Sequence, residues 1–252
     1  MKVTFLGTGT SHGVPMIGCD CPVCTSTDPR NSRTRTSALV EIDGAHLLID
    51  ASPELRLQAL REDVRKVDAV LFTHAHADHI FGLDDVRRFN DLSGNSMPCY
   101  GSRDTLRTVR RSFEYCFVPS QIGGGKPSLD LIEVDGPFEV LGTEITPVPV
   151  FHGELGVLAY RIGDFAYVTD VSMIPDSSAE TLRGLDTLVL GVLRPDPHET
   201  HFSVNEGLTV VERLGPARAF FTHIAHRLDH EATNALLPEH VRLAYDGLRI
   251  TV

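Results

Sequence analysis

The run Thr73-His74-Ala75-His76-Ala77-Asp78-His79 puts four groups able to ligate a metal within six residues. It follows the apolar stretch Ala69-Val70-Leu71-Phe72, whose end reads as buried strand. It precedes Ile80-Phe81-Gly82-Leu83, which reads as the opening of a helix. The cluster therefore sits where the chain turns, and a tight turn can aim alternate side chains at more than one centre. His74 and His76, two apart, could share one ion, with Asp78 and His79 serving a second beside it. Imidazole and carboxylate suit zinc, manganese or iron.

A second cluster lies in Gly18-Cys19-Asp20-Cys21-Pro22-Val23-Cys24. Three thiols in this spacing need one more ligand to close a tetrahedral zinc site. A redox pair or inert thiols are the plainer readings. The chain has five cysteines, with Cys99 and Cys116 standing apart. In a reducing compartment a cluster of this kind suggests metal more than disulfide.

The elements around these groups follow from period and punctuation. Lys2 to Leu6 reads as a first strand. Gly7-Thr8-Gly9-Thr10-Ser11-His12-Gly13 is a glycine-rich turn without the spacing of a nucleotide loop. Ser37 to Ile42 and His46 to Asp50 flank Asp43-Gly44, a hairpin signal. Ser52-Pro53-Glu54 reads as a helix start with Ser52 as cap. Helices are expected over Phe81 to Leu92, Ser102 to Phe113, Ser203 to Leu214 and Asp229 to Leu237. Further strands are expected over 97–100, 129–134, 138–141, 144–151, 157–162, 165–169, 185–192 and 217–221. Val241 to Tyr245 and Leu248 to Val252, joined at Asp246-Gly247, read as a final hairpin. Tyr115 to Ser128 is irregular and reads as a lid or a plain surface connection.

A weak internal repeat runs through this order. Leu48-Ile49-Asp50-Ala51-Ser52 echoes Val168-Thr169-Asp170-Val171-Ser172, and Leu71-Phe72-Thr73-His74 echoes Phe220-Phe221-Thr222-His223. Two β-rich halves with outer helices suggest two sheets face to face inside helical layers. No linker divides the chain, so residues 1–252 are expected to form one domain.

Composition excludes several classes. The net charge of -11 argues against wide, nonspecific nucleic-acid binding, which needs a basic surface. It leaves room for a small phosphorylated substrate, because bound metal ions make a pocket locally positive. No apolar run approaches the ~20 residues of a membrane span. Met1 to Gly7 reads as a strand, not a signal peptide. A cytoplasmic protein without a membrane partner is expected.

His74-x-His76-x-Asp78-His79 resembles the signature of the metallo-β-lactamase-fold hydrolases. The resemblance extends over the chain and implies a four-layer αββα sandwich. It implies that His74, His76 and His152 hold one divalent ion and that Asp78, His79 and His223 hold a second, with Asp170 bridging them. The ions implied are manganese or zinc, with iron also admitted. Asp50, the first-half counterpart of Asp170, is implied to support the histidine loop from behind. The chemistry implied is hydrolysis by a hydroxide held between the two ions.

Thr222-His223-Ile224-Ala225-His226 narrows the match. With Cys19, Cys21 and Cys24, it is similar to the phosphoribosyl cyclic phosphate phosphodiesterase branch of bacterial phosphonate breakdown. That likeness implies a structural zinc closed by His226, and it suggests a homodimer. His201, in Glu199-Thr200-His201-Phe202-Ser203, matches a histidine implied to protonate the leaving group, work suited to an unperturbed pKa near ~6.5. Neighbouring His198 could be confused with it. Arg194 could meet a substrate phosphate, although arginine before proline in a loop is usually surface. Leu83 to Asn90 and Pro119 to Ser128 depart from the branch, so the phosphodiesterase chemistry transfers better than the phosphoribosyl substrate.

Two alternatives share the fold. One is a thioester or other carbonyl hydrolase, which uses the same motif. The other is a non-hydrolytic metal protein of the pyrroloquinoline-quinone biosynthesis type, marked by one redox-active iron in place of two ions. A tRNA-processing nuclease is disfavoured by the absence of a long basic arm.

Overall fold

Many strands of this chain are apolar on both faces, so each sheet needs a cover on each side. The computed structural model describes residues 1–119 and 125–252. In the first sheet the order is β15 (Arg249–Thr251), β1 (Lys2–Gly7), β2 (Ser37–Ile42), β3 (Ala45–Ile49), β4 (Ala69–Leu71), β5 (Met97–Gly101) and β6 (Leu129–Glu133). In the second it is β14 (Val241–Leu243), β13 (Arg218–Thr222), β11 (Thr187–Arg194), β10 (Phe165–Val168), β9 (Leu155–Ile162), β8 (Thr143–His152) and β7 (Phe138–Val140). The short β12 (Phe202–Ser203) lies beside β11.

The side chains sort into three cores. Val3 and Phe5 of β1, Leu47 and Ile49 of β3, and Phe165 and Tyr167 of β10 meet between the sheets. Their period-two alternates turn the other way. Leu48 and Val70 pack beneath α1 (Leu55–Arg61), α3 (Arg87–Ser93) and α4 (Arg103–Ser112). Ala166 and Val168 pack beneath α6 (Asp176–Thr181) and α7 (Val204–Leu214). One core between the sheets and one outside each make the four-layer αββα sandwich that the sequence led us to expect. Among the described residues, no helix is long and apolar enough to cross a membrane.

Several local expectations are corrected. The closing segment is not a hairpin. β14 runs parallel to β13, while β15 runs antiparallel to β1 in the other sheet. The turn between them is pinned at Asp246, whose carboxylate accepts from the backbone and hydroxyl of both Thr8 and Thr34. By contrast Asp43 and Gly44 close a true hairpin, both with positive φ as a type I′ turn requires.

Ser52 does not cap a helix. α1 begins at Leu55, and the Ser52 hydroxyl donates to Gln58 instead. The helix expected over Phe81 to Leu92 is a 3-10 turn (Leu83–Val86) followed by α3, and the short α2 (Ala77–Ile80) precedes them. The break lies at Gly82, where a Cβ would run into the Ser52 carbonyl oxygen. α6 escaped the sequence reading because its six residues, Asp-Ser-Ser-Ala-Glu-Thr, carry no apolar stripe. The segment read as a lid begins with α5 (Glu114–Phe117), and its residues 120–124 lie outside the described residues.

Candidate metal centre

The site is built where strands stop. β3 and β4 run parallel, as do β10, β11 and β13, so their C-terminal ends fall along one edge. Asp50 follows β3, the histidine run follows β4, and His152 ends β8. Asp170 follows β10, and His223 follows β13. Asp50, Asp170 and His223 hold φ of 59°, 48° and 59°, the left-handed region that non-glycine residues rarely enter. Each chain thus turns sharply as it leaves its strand, and Asp50 and Asp170 do so at equivalent places in the two halves.

Asp170 divides its oxygens between two histidine sets. Oδ2 lies 3.7 Å from His74 Nε2 and 3.8 Å from His152 Nε2. Oδ1 lies 3.3 Å from His79 Nε2 and 3.2 Å from His223 Nε2. Asp78 Oδ2 joins the second set at 3.4 Å from His79 Nε2 and 3.6 Å from His223 Nε2. His76 completes the first, its potential ligand atom within 4.8 Å of those of His74, His152 and Asp170. His76 is exposed, whereas the other six residues are buried.

This arrangement fits metal ions. Ligands bonded at ~2.0–2.1 Å in a tetrahedron lie roughly 3.3 Å apart, close to these separations. Nε2 of His74, His79 and His223 are buried and make no hydrogen bond, although carboxylate oxygens stand near. Orphaned buried nitrogens beside carboxylates suit a shared cation better than they suit each other.

Supporting groups fix the rings. His79 Nδ1 donates to Asp50 Oδ2 at 2.7 Å, and Asp50 also accepts from the backbone and hydroxyl of Thr73. His152 Nδ1 donates to the Thr200 carbonyl oxygen at 2.6 Å. The second sheet braces the loop. Tyr160 donates its hydroxyl to Phe72 O at 2.7 Å, and Leu158 N donates to Thr73 O at 2.9 Å. The resemblance implied the supporting place of Asp50 but not that of Thr200, because a backbone acceptor leaves no mark in residue type.

The electrostatics follow from burial and neighbours. Burial opposes charge on Asp170, but His223 and His79 hold its pKa well below the usual carboxylate range. Burial likewise opposes charge on His79, and Asp170 with Asp50 pushes it well above its ordinary value. Burial, then His79, lowers His74. The cluster thus keeps the ionised carboxylate of Asp170 among its histidines, as a cation site requires.

His201 stands at the side of both sets, its ring centroid 4.5 Å from His152 and 4.8 Å from His223. Its Nδ1 is buried without a partner. Burial, then His223, pushes it down to about 3, below the ordinary value that made it attractive as an acid. An anionic substrate beside it would favour the charged ring. His198 is distinguished from it by engagement, since its Nδ1 accepts from Thr200 N. Arg194 turns back on its own loop and donates to Asp196 O and Pro197 O.

The cysteine cluster also closes. His226 Nδ1 lies 3.3 Å from Sγ of both Cys19 and Cys21. The potential ligand atoms of these residues and Cys24 all lie within 4.8 Å of one another. One ring nitrogen cannot donate well to two thiols, so a common cation at the centre explains both contacts better. The Cys24 N–H is the main cause that draws Cys21 down to about 6, towards the thiolate a metal needs. Ile224, between His223 and His226, exchanges backbone hydrogen bonds with Thr8 and Thr10, which ties the two centres to the glycine-rich turn.

Residues 45–224 match the family described as the beta-lactamase superfamily domain. The chain is 36% identical over 257 residues to a protein named octanoyltransferase from Porphyromonas gingivalis, covering 100% of this chain and 52% of that one. It is 33% identical over 165 residues to coenzyme PQQ synthesis protein B of Methylobacterium radiotolerans, covering 60% of this chain and 52% of that one. It thus spans about half the length of these curated relatives. Among solved structures, a new diphosphatase from the PhnP family superposes with a TM-score of 0.93 at 45% identity, covering 100% of this chain and 97% of that one. Zn(2+)-bound PqqB from Methylobacterium extorquens gives 0.81 at 21% identity with 100% of both covered, a likeness of fold alone.

Proposed function

The chain belongs to the metallo-β-lactamase superfamily, and within it to the PhnP family, and from that premise we propose a dinuclear metal-dependent phosphodiesterase for a small phosphate ester, cyclic esters included. One observation carries this reading: the carboxylate of Asp170 faces one histidine set with each oxygen. A single ion would leave half of that carboxylate and one buried set without a use. The diphosphatase named among the relatives supports phosphoryl chemistry in particular.

His74, His76 and His152 would hold one ion and Asp78, His79 and His223 the other, with Asp170 between them. The donor set admits manganese, zinc or iron. Two such ions would supply Lewis acidity towards water and the ester oxygens. The chain's own residues do the rest. Asp50 and the Thr200 carbonyl each accept a hydrogen bond from an Nδ1–H, which leaves Nε2 of His79 and His152 free to face the centre. In this reading His201, at the side of both sets beside His152 and His223, gives a proton to the departing oxygen.

A second reading, hydrolysis of a thioester or another carbonyl compound, draws on the relative named octanoyltransferase. The two separate on substrate. Metal-stripped protein refilled with manganese or zinc is tested on bis(p-nitrophenyl) phosphate, with His201→Ala beside it. We expect metal-dependent turnover that falls about 10²–10⁴-fold in the variant. A fully loaded protein that ignores the phosphodiester and cleaves an acyl thioester would overturn the first reading in favour of the second.

A further inference from the structure

The two histidine sets are oriented by unlike partners. His79 leans on Asp50, a fully buried carboxylate just past the end of β3. His152 leans on the Thr200 carbonyl, which belongs to the irregular loop 195–201 between β11 and β12. A loop carbonyl orients a ring only as firmly as the loop itself is held.

The first half of that loop is tied by arginines. Arg194 donates to Asp196 O and Pro197 O, and Arg227 pairs with Asp196 at 2.5 Å. The second half is held at Thr200. Its backbone N–H donates to His198 Nδ1 at 3.2 Å, and its hydroxyl oxygen lies 3.2 Å from the same nitrogen. The Thr200 N–H has no other partner among the described residues. Accepting from an N–H takes the lone pair of Nδ1, so the neutral His198 ring carries its proton on Nε2. Thr200 also packs against Gly153, the residue after His152, where a Cβ would come within 3.0 Å of Thr200 Cγ2. The Gly153 N–H donates to Ser172 Oγ at 2.9 Å, which holds that turn from its other side.

We infer that His198 is a positioning residue for the first metal set: its Nδ1 holds Thr200 so that the Thr200 carbonyl fixes the ring of His152. This rests on the dinuclear reading above and deepens it. Thr200 also precedes His201 directly, so the same anchor sets where His201 leaves the loop.

The test separates the acceptor atom from the ring. His198→Asn keeps an acceptor near the Nδ1 position and loses the ring, whereas His198→Phe keeps a ring and loses the acceptor. Metal-stripped protein is titrated with cobalt(II) against a competing chelator, and the thiolate charge-transfer band tells ions at the cysteines from ions at the Asp170 centre. His198→Phe is expected to weaken one of the two ions at that centre about tenfold, the low end of what a supporting partner is worth, and His198→Asn to restore it. In a His152→Ala background His198→Phe should cost nothing further, because the residue it acts through is gone. Parent-like affinity in His198→Phe, a loss in His198→Asn as large as in His198→Phe, or a full further loss in the His152→Ala background overturns the positioning role and leaves the two-ion centre standing. A parent protein that takes fewer than two ions outside the cysteine site overturns the dinuclear reading and the inference with it.

Discussion

His79 Nδ1 donates to Asp50 Oδ2 at 2.7 Å, across 29 residues of chain and with both side chains fully buried. Thr73, between them in sequence, gives the same carboxylate its backbone N–H and its hydroxyl. One acid therefore sets the orientation of the histidine loop without facing its centre.

Asp50→Ala is expected to weaken metal binding about 10–100-fold, the usual cost of losing a group that orients a ligand. Competition against a chromophoric chelator measures it. Metal affinity equal to that of the parent protein would show that the loop holds its shape alone.

Asp170→Asn keeps the shape of the side chain and removes its charge. We expect loss of metal from the centre and a fall in turnover on the order of a hundredfold or more, the several kcal/mol that metal-ion charge stabilisation supplies. Metal analysis and turnover are read on the same preparation. Near-normal turnover with both ions retained would sink the bridging role.

His226→Ala should lower zinc content by about one ion per chain and reduce the melting temperature, with the residues around Asp170 intact. Elemental analysis and thermal unfolding, with and without added zinc, decide it. Unchanged zinc and unchanged melting would refute the cysteine–histidine site.

Buried Arg33 places Nη2 3.3 Å from His230 Nδ1. Burial, then Arg33, pushes His230 down to about 4. The unfolded ring takes up a proton below about 6.5 and the folded ring does not until about 4, so stability falls as pH drops through that window. His230→Gln should flatten this acid loss while leaving stability near pH 8 little changed. Urea unfolding from pH 8 to 4 compares the two proteins, and parallel curves would remove His230 from the account.

Much of the candidate site was legible because its residues are defined by type and by strand ends. Asp50, His74, His152, Asp170 and His223 each stand where an apolar run stops, and a run of that kind is local information. The helix boundaries near the site were less legible. Ser52 and Phe81 to Leu92 carry ordinary helix signals, and the close approach of Gly82 to Ser52 overrides them. The false final hairpin has the same origin. Asp246-Gly247 has hairpin chemistry, but its carboxylate is claimed by Thr8 and Thr34, which draws the two flanking strands into different sheets.

By itself the sequence determined which residues could ligate metal, where the strands that carry them end, and the likeness to one hydrolase family. Only the tertiary structure decided that Asp170 splits its oxygens between the histidine sets, that the Thr200 carbonyl orients His152, and that a cleft with one apolar wall opens beside His74 and His76. The reason is range. Burial period and turn chemistry are written in neighbouring residues, whereas backbone acceptors, carboxylate geometry and the walls of a cleft exist only after distant strand ends have been brought to one edge.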